Sequence, residues 1–181
     1  MMIYTVALVA SGDLVTTFIG DGKIIQSFGG AAHDGYDVAV QSDGKIVVVG
    51  PKWLSGSSSD FAIARYNTDG SLDTTFSGDG RQVVNIGAQD QALAVAIQTD
   101  GKIVLGGQTC NDDFSICDVA LARLNTDGAL DTTFSGDGKV TTDFGLGDNG
   151  GFNFTLQGSK VVVTGYWHDG TSYNAAVYRY N

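Results

Sequence analysis

The sequence contains no glutamate; its twenty acidic residues are all aspartate. Glutamate is a good helix former whereas aspartate serves turns. That skew, with 26 glycines and a single proline, Pro51, argues for strands joined by many turns and against a helical protein. Basic residues are scarce too, ten in all and scattered, and the formal net charge is −10. A chain without a cluster of phosphate-neutralising Lys and Arg is not expected to bind nucleic acid. Lys45, Lys102, Lys139 and Lys160 each open an expected strand and read as edge-protecting charge. No apolar run is long enough for a membrane-spanning helix. The opening Met1–Ala10 is apolar but short, and it lacks the basic start of a signal peptide.

The reactive residues are equally few. Cys110 and Cys117 lie in a polar stretch whose spacing does not suit a zinc site. They either close that loop as a disulfide, which implies an oxidising compartment, or remain two thiols. His33 and His168, the two histidines, fall in different parts of the chain with no recognisable nucleophile motif. An enzyme is not expected.

What the chain has in abundance is repetition. Asn67 to Gly80 returns at Asn125 to Gly138 with one change, Ser71 to Ala129, and a worn copy runs from Gly12 to Gly22. The 58-residue offset belongs to stacked or ringed supersecondary units. The whole chain, 1–181, then reads as one repeat domain: a partial repeat at 3–28, full repeats at 29–86 and 87–144, and a partial repeat at 145–181.

Each repeat gives the same series of expected strands. The first covers Tyr36 to Gln41, Ala92 to Gln98 and Phe152 to Gln157, ending in a tight turn, twice Asp-Gly. The second is the β-branched run Lys45 to Gly50, Lys102 to Gly107 and Lys160 to Gly165. Connections of variable sequence follow at Pro51–Asp60, Gln108–Asp118 and Tyr166–Tyr173. The third strand is Phe61 to Asn67, Val119 to Asn125 and Ala175 to Asn181, with Ile3 to Val9 as its N-terminal counterpart. The fourth is Arg81 to Ile86, Lys139 to Phe144 and Lys23 to Phe28; Leu72 to Phe76 is left open as a further short strand.

Large and small apolar residues alternate in these strands, so both faces of each sheet should be covered. Val38, Val40, Ile46, Val48, Val95, Ile97, Ile103, Leu105, Val161 and Val163 are the expected core. The reading is all-β, three tandem four-stranded antiparallel repeats that form β-propeller blades, with a flat β-solenoid as the second choice.

The hairpin Val38 to Gly50, followed by Asp60 to Asn67 and Asp69 to Phe76, resembles the bacterial delta-60 repeat. The resemblance covers nearly the whole chain. It implies blades related to NHL repeats and a secreted or cell-surface location, with no assigned activity. The first copy departs from the pattern, with Ala7, Val9 and Val15 where the motif has Arg, Asn and Asp.

Two polar sets stand out. Arg65, Asn67, Asp69 and Asp73 recur as Arg123, Asn125, Asp127 and Asp131. Their spacing overlaps that of a calcium loop, but Arg holds the first ligand position. A guanidinium there supplies the charge of a cation, so structural Arg–Asp pairing is expected and calcium is not required. The second set is aromatic: Trp53, and Tyr166, Trp167 and His168, placed in the variable connections. Such rings either stack on a sugar or cover the ends of neighbouring blades.

The functional expectation is a non-enzymatic extracellular structural or interaction module, with a carbohydrate-binding propeller as the alternative. Three blades are fewer than the four to eight that close a propeller. The spare fourth strand Lys23 to Phe28 at one end matches the missing fourth strand at the other. The expected partner is therefore a second copy, in a closed ring or a filament.

Overall fold

The computed structural model describes residues 17–25, 27–28, 32–54, 58–143 and 149–181. The expected strand Ile3 to Val9 and the first part of the worn copy, Gly12 to Thr16, lie outside the described residues. Among the described residues there are twelve strands and no helix: β1 (Ala32–His33), β2 (Asp37–Val40), β3 (Ile46–Trp53), β4 (Ser59–Tyr66), β5 (Arg81–Val84), β6 (Gln89–Ile97), β7 (Ile103–Cys110), β8 (Cys117–Leu124), β9 (Lys139–Thr142), β10 (Asn149–Gln157), β11 (Lys160–His168) and β12 (Tyr173–Tyr180).

They form three antiparallel units. The first has the order β2-β3-β4-β5, with β1 continuing the line of β2 beside β3. The second repeats it as β6-β7-β8-β9, and the third as β10-β11-β12. A single parallel pair, Ser59 with Gln89, links the first two sheets edge to edge. Otherwise the units meet face to face. Because side chains alternate across a strand, Val47, Val49, Phe61 and Ile63 share the rear face of the first unit. They pack on Ile103, Leu105, Ala120, Ala122 and Leu124 of the second. The second unit's rear face, Val104, Val119 and Leu121, packs in the same way on Val161 and Val163 of the third.

This arrangement divides the expected core. Val95, Ile103, Leu105, Val161 and Val163 are buried and Ile97 is half-buried. Val38 and Val40 are instead 58% and 66% exposed, and Ile46 and Val48 only half-buried, while their neighbours Val47 and Val49 are fully covered. The reason is position: all four lie on the front face of the first unit, which no sheet among the described residues covers. Apolar alternation identifies two buried faces without saying which of them has a neighbour.

Two expected elements are corrected, and one left open is decided. Lys23 to Phe28 forms no strand among its described residues. Leu72 makes one bridge to Tyr66 before the chain turns, so Leu72 to Phe76 is not a strand. The connections between second and third strands are shorter than expected, since β3, β7 and β11 run on to Trp53, Cys110 and His168. Trp53, Tyr166, Trp167 and His168 therefore sit at strand ends.

The inner strands also start earlier than their apolar runs suggest, because each contains an irregularity that breaks the alternation. The register of β6 on β7 slips between Ala92 and Ala94, and that of β10 on β11 between Gly151 and Asn153; in the first unit the strand breaks between β1 and β2. Facing these three points are Gly50, Gly107 and Gly165. A Cβ on any of them would collide with a backbone carbonyl: Asp34, Gln91 and Gly150 respectively. Glycine is needed for close approach there. Gly107→Ala should lower stability by at least ~1–3 kcal/mol, the usual cost of overpacking, read as a shift of the urea midpoint at unchanged slope; an unchanged midpoint would show that the bulge adapts.

Candidate functional site

The recurring polar set separates into a buried centre and an exposed turn. At the centre is Asp73, whose side chain is 4% exposed. Its Oδ2 accepts from Arg65 Nε at 2.7 Å and Lys45 Nζ at 2.9 Å. Its Oδ1 accepts from the Thr75 backbone N–H at 3.1 Å and from Thr75 Oγ1 at 2.6 Å. Asp131 repeats the arrangement with Arg123 at 2.7 Å, Lys102 at 2.9 Å, and Thr133 N–H and Oγ1 at 3.1 and 2.7 Å. Each arginine lies over a ring, Arg65 above Phe76 at 4.6 Å and Arg123 above Phe134 at 4.7 Å, a favourable cation–π placement.

Burial alone would favour the neutral acid. The hydrogen bonds from Thr75, Lys45 and Arg65 outweigh it at Asp73, and those from Thr133, Lys102 and Arg123 do so at Asp131, holding both carboxyls well below the usual carboxylate range. The chain reaches this geometry because Asp73 closes a turn: its N–H donates to Arg65 O at 2.9 Å and its carbonyl accepts from Phe76 N–H.

The remaining members belong to the turn before it. Asp69 Oδ1 accepts from the N–H and Oγ of Ser71 at 2.9 and 2.6 Å, and Asp127 Oδ1 from Ala129 N–H at 3.0 Å. Asn67 Nδ2 donates to Ser71 Oγ, and Asn67 and Asn125 close the same turn through their backbones. Asp69 thus serves its own turn and is not a co-ligand of Asp73. Among the described residues no group of three or more His, Cys, Asp or Glu converges in a way that would hold a metal ion.

Two participants escaped the sequence reading. Lys45 and Lys102 are not edge charges but the second cations on the buried carboxylates; the signal was their recurrence ahead of each Asp. Lys139 and Lys160 also have partners, Asn85 O at 3.2 Å and Asn181 Oδ1 at 2.7 Å. The other participant is the neighbouring unit. Arg65 Nη1 donates to Thr126 O at 2.6 Å, and Ser77 N–H donates to Asp127 O at 2.8 Å, both crossing to the second unit.

The aromatic set does not gather in one place. Trp53 packs on Phe114 of the second unit, ring centroids 6.3 Å apart. Tyr166 and His168 flank Tyr173 in the third unit at 5.6 and 4.5 Å, and Trp167 is half-buried beside them in sequence. Cys110 and Cys117 form a disulfide between the last paired residues of β7 and β8. It closes the turn that carries Phe114 to Trp53.

Because the folded-state pKa values of Asp73 and Asp131 are depressed, their contribution is complete above the unfolded carboxylate value of about 3.9 and is lost as the pH falls below it. Asp73→Asn leaves Arg65 and Lys45 without their anion and should cost ~3–5 kcal/mol at neutral pH. Urea midpoints should show this gap narrowing below about pH 4. A gap of constant size would mean that carboxylate charge is not its source.

Residues 41–76 and 98–134 match the family model described as "Domain of unknown function (DUF5122) beta-propeller". Each stretch runs from the tight turn before Lys45 or Lys102 through the buried carboxylate to Phe76 or Phe134. No curated protein matches the chain. The all-β chain is therefore similar, in its first two units, to the repeat of a β-propeller family.

Proposed function

We propose that the chain is a non-enzymatic structural and interaction module, three blades of a repeat about 58 residues long, that works outside the cell and assembles with further copies of itself. One observation carries this reading. The front face of the first blade presents Ile46, Val48, Ala62, Ala64 and Tyr66 at the positions where the second presents Ile103, Leu105, Ala120, Ala122 and Leu124. On the second blade these side chains are buried beneath a neighbouring sheet; on the first, Ala62, Ala64 and Tyr66 are buried but Ile46 and Val48 only half so, and all five line an apolar cavity of about 310 Å³ flanked by Phe18, Ile24 and Phe28. The rear of the third blade complements it. Val162 and Val177 stand there at the positions of Val104 and Leu121, with Val177 71% exposed. A rear face meeting a front face is the contact that the molecule already makes twice within itself. Repetition between copies yields a ring if the rotation closes and a filament if it does not.

The recurring polar groups support a structural role, since Asp73 and Asp131 are spent on Arg, Lys and Thr partners. The disulfide supports an oxidising, extracellular location. Carbohydrate binding is the second reading, favoured by Tyr173, which is 67% exposed beside His168 and Tyr166.

Light scattering over a range of concentrations should give a dimer or a mass that grows; a monomer at every concentration would defeat self-assembly. On a glycan array, binding lost in both Trp53→Ala and Trp167→Ala, with the fold intact, would instead select the carbohydrate reading. Since Arg65 and Arg123 do a cation's structural work, melting in chelator and in millimolar calcium should give one midpoint. A rise of several degrees in calcium would reveal a bound ion.

A further inference from the structure

We propose that the cleft between the first two units takes an extended, basic segment of a partner protein: its main chain pairs with the Gln41 carboxamide and the Lys45 ammonium, and its cationic side chain meets Asp43. The cleft lies apart from the outer faces through which copies would meet, so the site goes beyond self-assembly and does not rest on it.

The cleft opens beside the tight turn of the first unit and has a volume of about 590 Å³, within the range of small-ligand sites, about 300–1,000 Å³. One wall is Gln41, Asp43, Lys45 and Arg65; the facing wall, from the second unit, includes Ile97 and Thr126. Gln41 N–H donates to Lys45 O at 2.8 Å, and the next cross-strand pair is Val40 with Ile46. Gln41 and Lys45 therefore stand opposite each other on one face of the hairpin. Arg65, paired with Val47, shares that face.

Gln98 shows what a glutamine does at this place. It stands opposite Lys102 in the second unit, with the same backbone bond at 2.8 Å, and its Nε2 crosses the next joint to Ser159 O at 3.1 Å. Its side chain thus binds a main-chain carbonyl of the following unit. Gln41 makes no such bond among the described residues, and its Oε1 is buried without a hydrogen-bond partner among them. The facing turns differ: Gln157 and Lys160 of the third unit enclose two residues, whereas Gln98 and Lys102 of the second enclose three. A buried amide oxygen left unpaired costs free energy that a donor from a ligand recovers.

The chemistry of the walls selects that ligand. A carboxamide offers an acceptor and a donor side by side, the complement of a main-chain N–H and C=O. Lys45 gives one N–H to Asp73 at 2.9 Å and, with its side chain 27% exposed, keeps others for a carbonyl. Arg65 Nη1 already holds the Thr126 carbonyl on the far wall at 2.6 Å. Asp43, 55% exposed with its Oδ2 4.0 Å from Lys45 Nζ, adds a carboxylate at the rim. With the net charge of −10, that carboxylate favours a basic partner and disfavours a second copy of this acidic chain. Among the described residues no aromatic ring lines the cleft, so a sugar finds no stacking surface there.

The test follows the side-chain amide NMR signals of Gln41 and Gln98 in the full-length chain. A pool of acetylated, amidated tetrapeptides, each with one lysine among apolar residues, should move the Gln41 signal saturably and leave that of Gln98 in place. A matching pool with aspartate for lysine should move neither. By calorimetry, Gln41→Leu should weaken binding of the lysine pool about tenfold, the loss of a pair of hydrogen bonds, at an unchanged melting temperature. Asp43→Asn keeps the oxygen that accepts from Lys45 N–H at 3.1 Å and should bring the two pools to equal affinity. The site is overturned by a Gln41 signal that the lysine pool does not move, by undiminished binding in Gln41→Leu, or by a lysine preference that survives Asp43→Asn. Movement of the Gln41 signal by maltose and not by peptide would make the cleft a sugar site and overturn it too. Light-scattering mass is read separately, so self-assembly stands or falls on its own.

Discussion

The buried carboxylates Asp73 and Asp131 are the points on which the rest of the molecule depends. Each is held by an arginine from the third strand of its unit, a lysine from the start of the second, and a threonine two residues on. Three separate stretches of chain are thereby fixed to one acid group. Such burial is costly unless every lone pair is met, and here each oxygen has at least two donors. Two cations against one anion leave excess positive charge, which the faces of Phe76 and Phe134 and the carbonyl of Thr126 accommodate. That last bond takes the centre beyond its own unit, so the ion-pair geometry and the stacking of units depend on each other.

Stacking matters because a single unit has no core of its own. Its sheet is apolar on both faces, and burial comes only from a neighbour on each side. Proteins of this kind behave as one-dimensional arrays in which interfaces contribute much of the stability. The second unit is covered on both sides, whereas the first and third each present a face that is open among the described residues. Exposure of Val38, Val40 and Val177 follows from that, and not from any lapse in the repeat pattern.

Variation is confined to where these constraints end. The last cross-strand pair before the turn joining second and third strands is Trp53 with Ser59, Cys110 with Cys117, and His168 with Tyr173. The three are chemically unrelated because the position lies beyond the apolar interface and each pair is stabilised in its own way: by an aromatic contact across units, by a disulfide, and by a tilted contact between two rings. Three residues earlier in each strand the opposite holds, and glycine is required because a strand irregularity brings a carbonyl against it.

The sequence by itself determined the all-β character and the order of strands within each unit, because each is a local matter of turn chemistry, alternation and spacing; it grouped Arg65 with both Asp69 and Asp73, whereas only Asp73 receives the guanidinium. It misread Lys45 and Lys102, since the distance from a strand entry to a buried acid across the sheet is not a spacing along the chain. It began β6 and β10 too late, because a bulge shifts alternation by one residue and hides the part of the strand that precedes it. Which apolar face has a neighbour, whether two cysteines in a loop face each other, and whether Trp53 meets Tyr166 and Trp167 were decided by tertiary structure alone. Each depends on how whole sheets stand against one another, and a sheet with two apolar faces carries no local mark of which one will be covered.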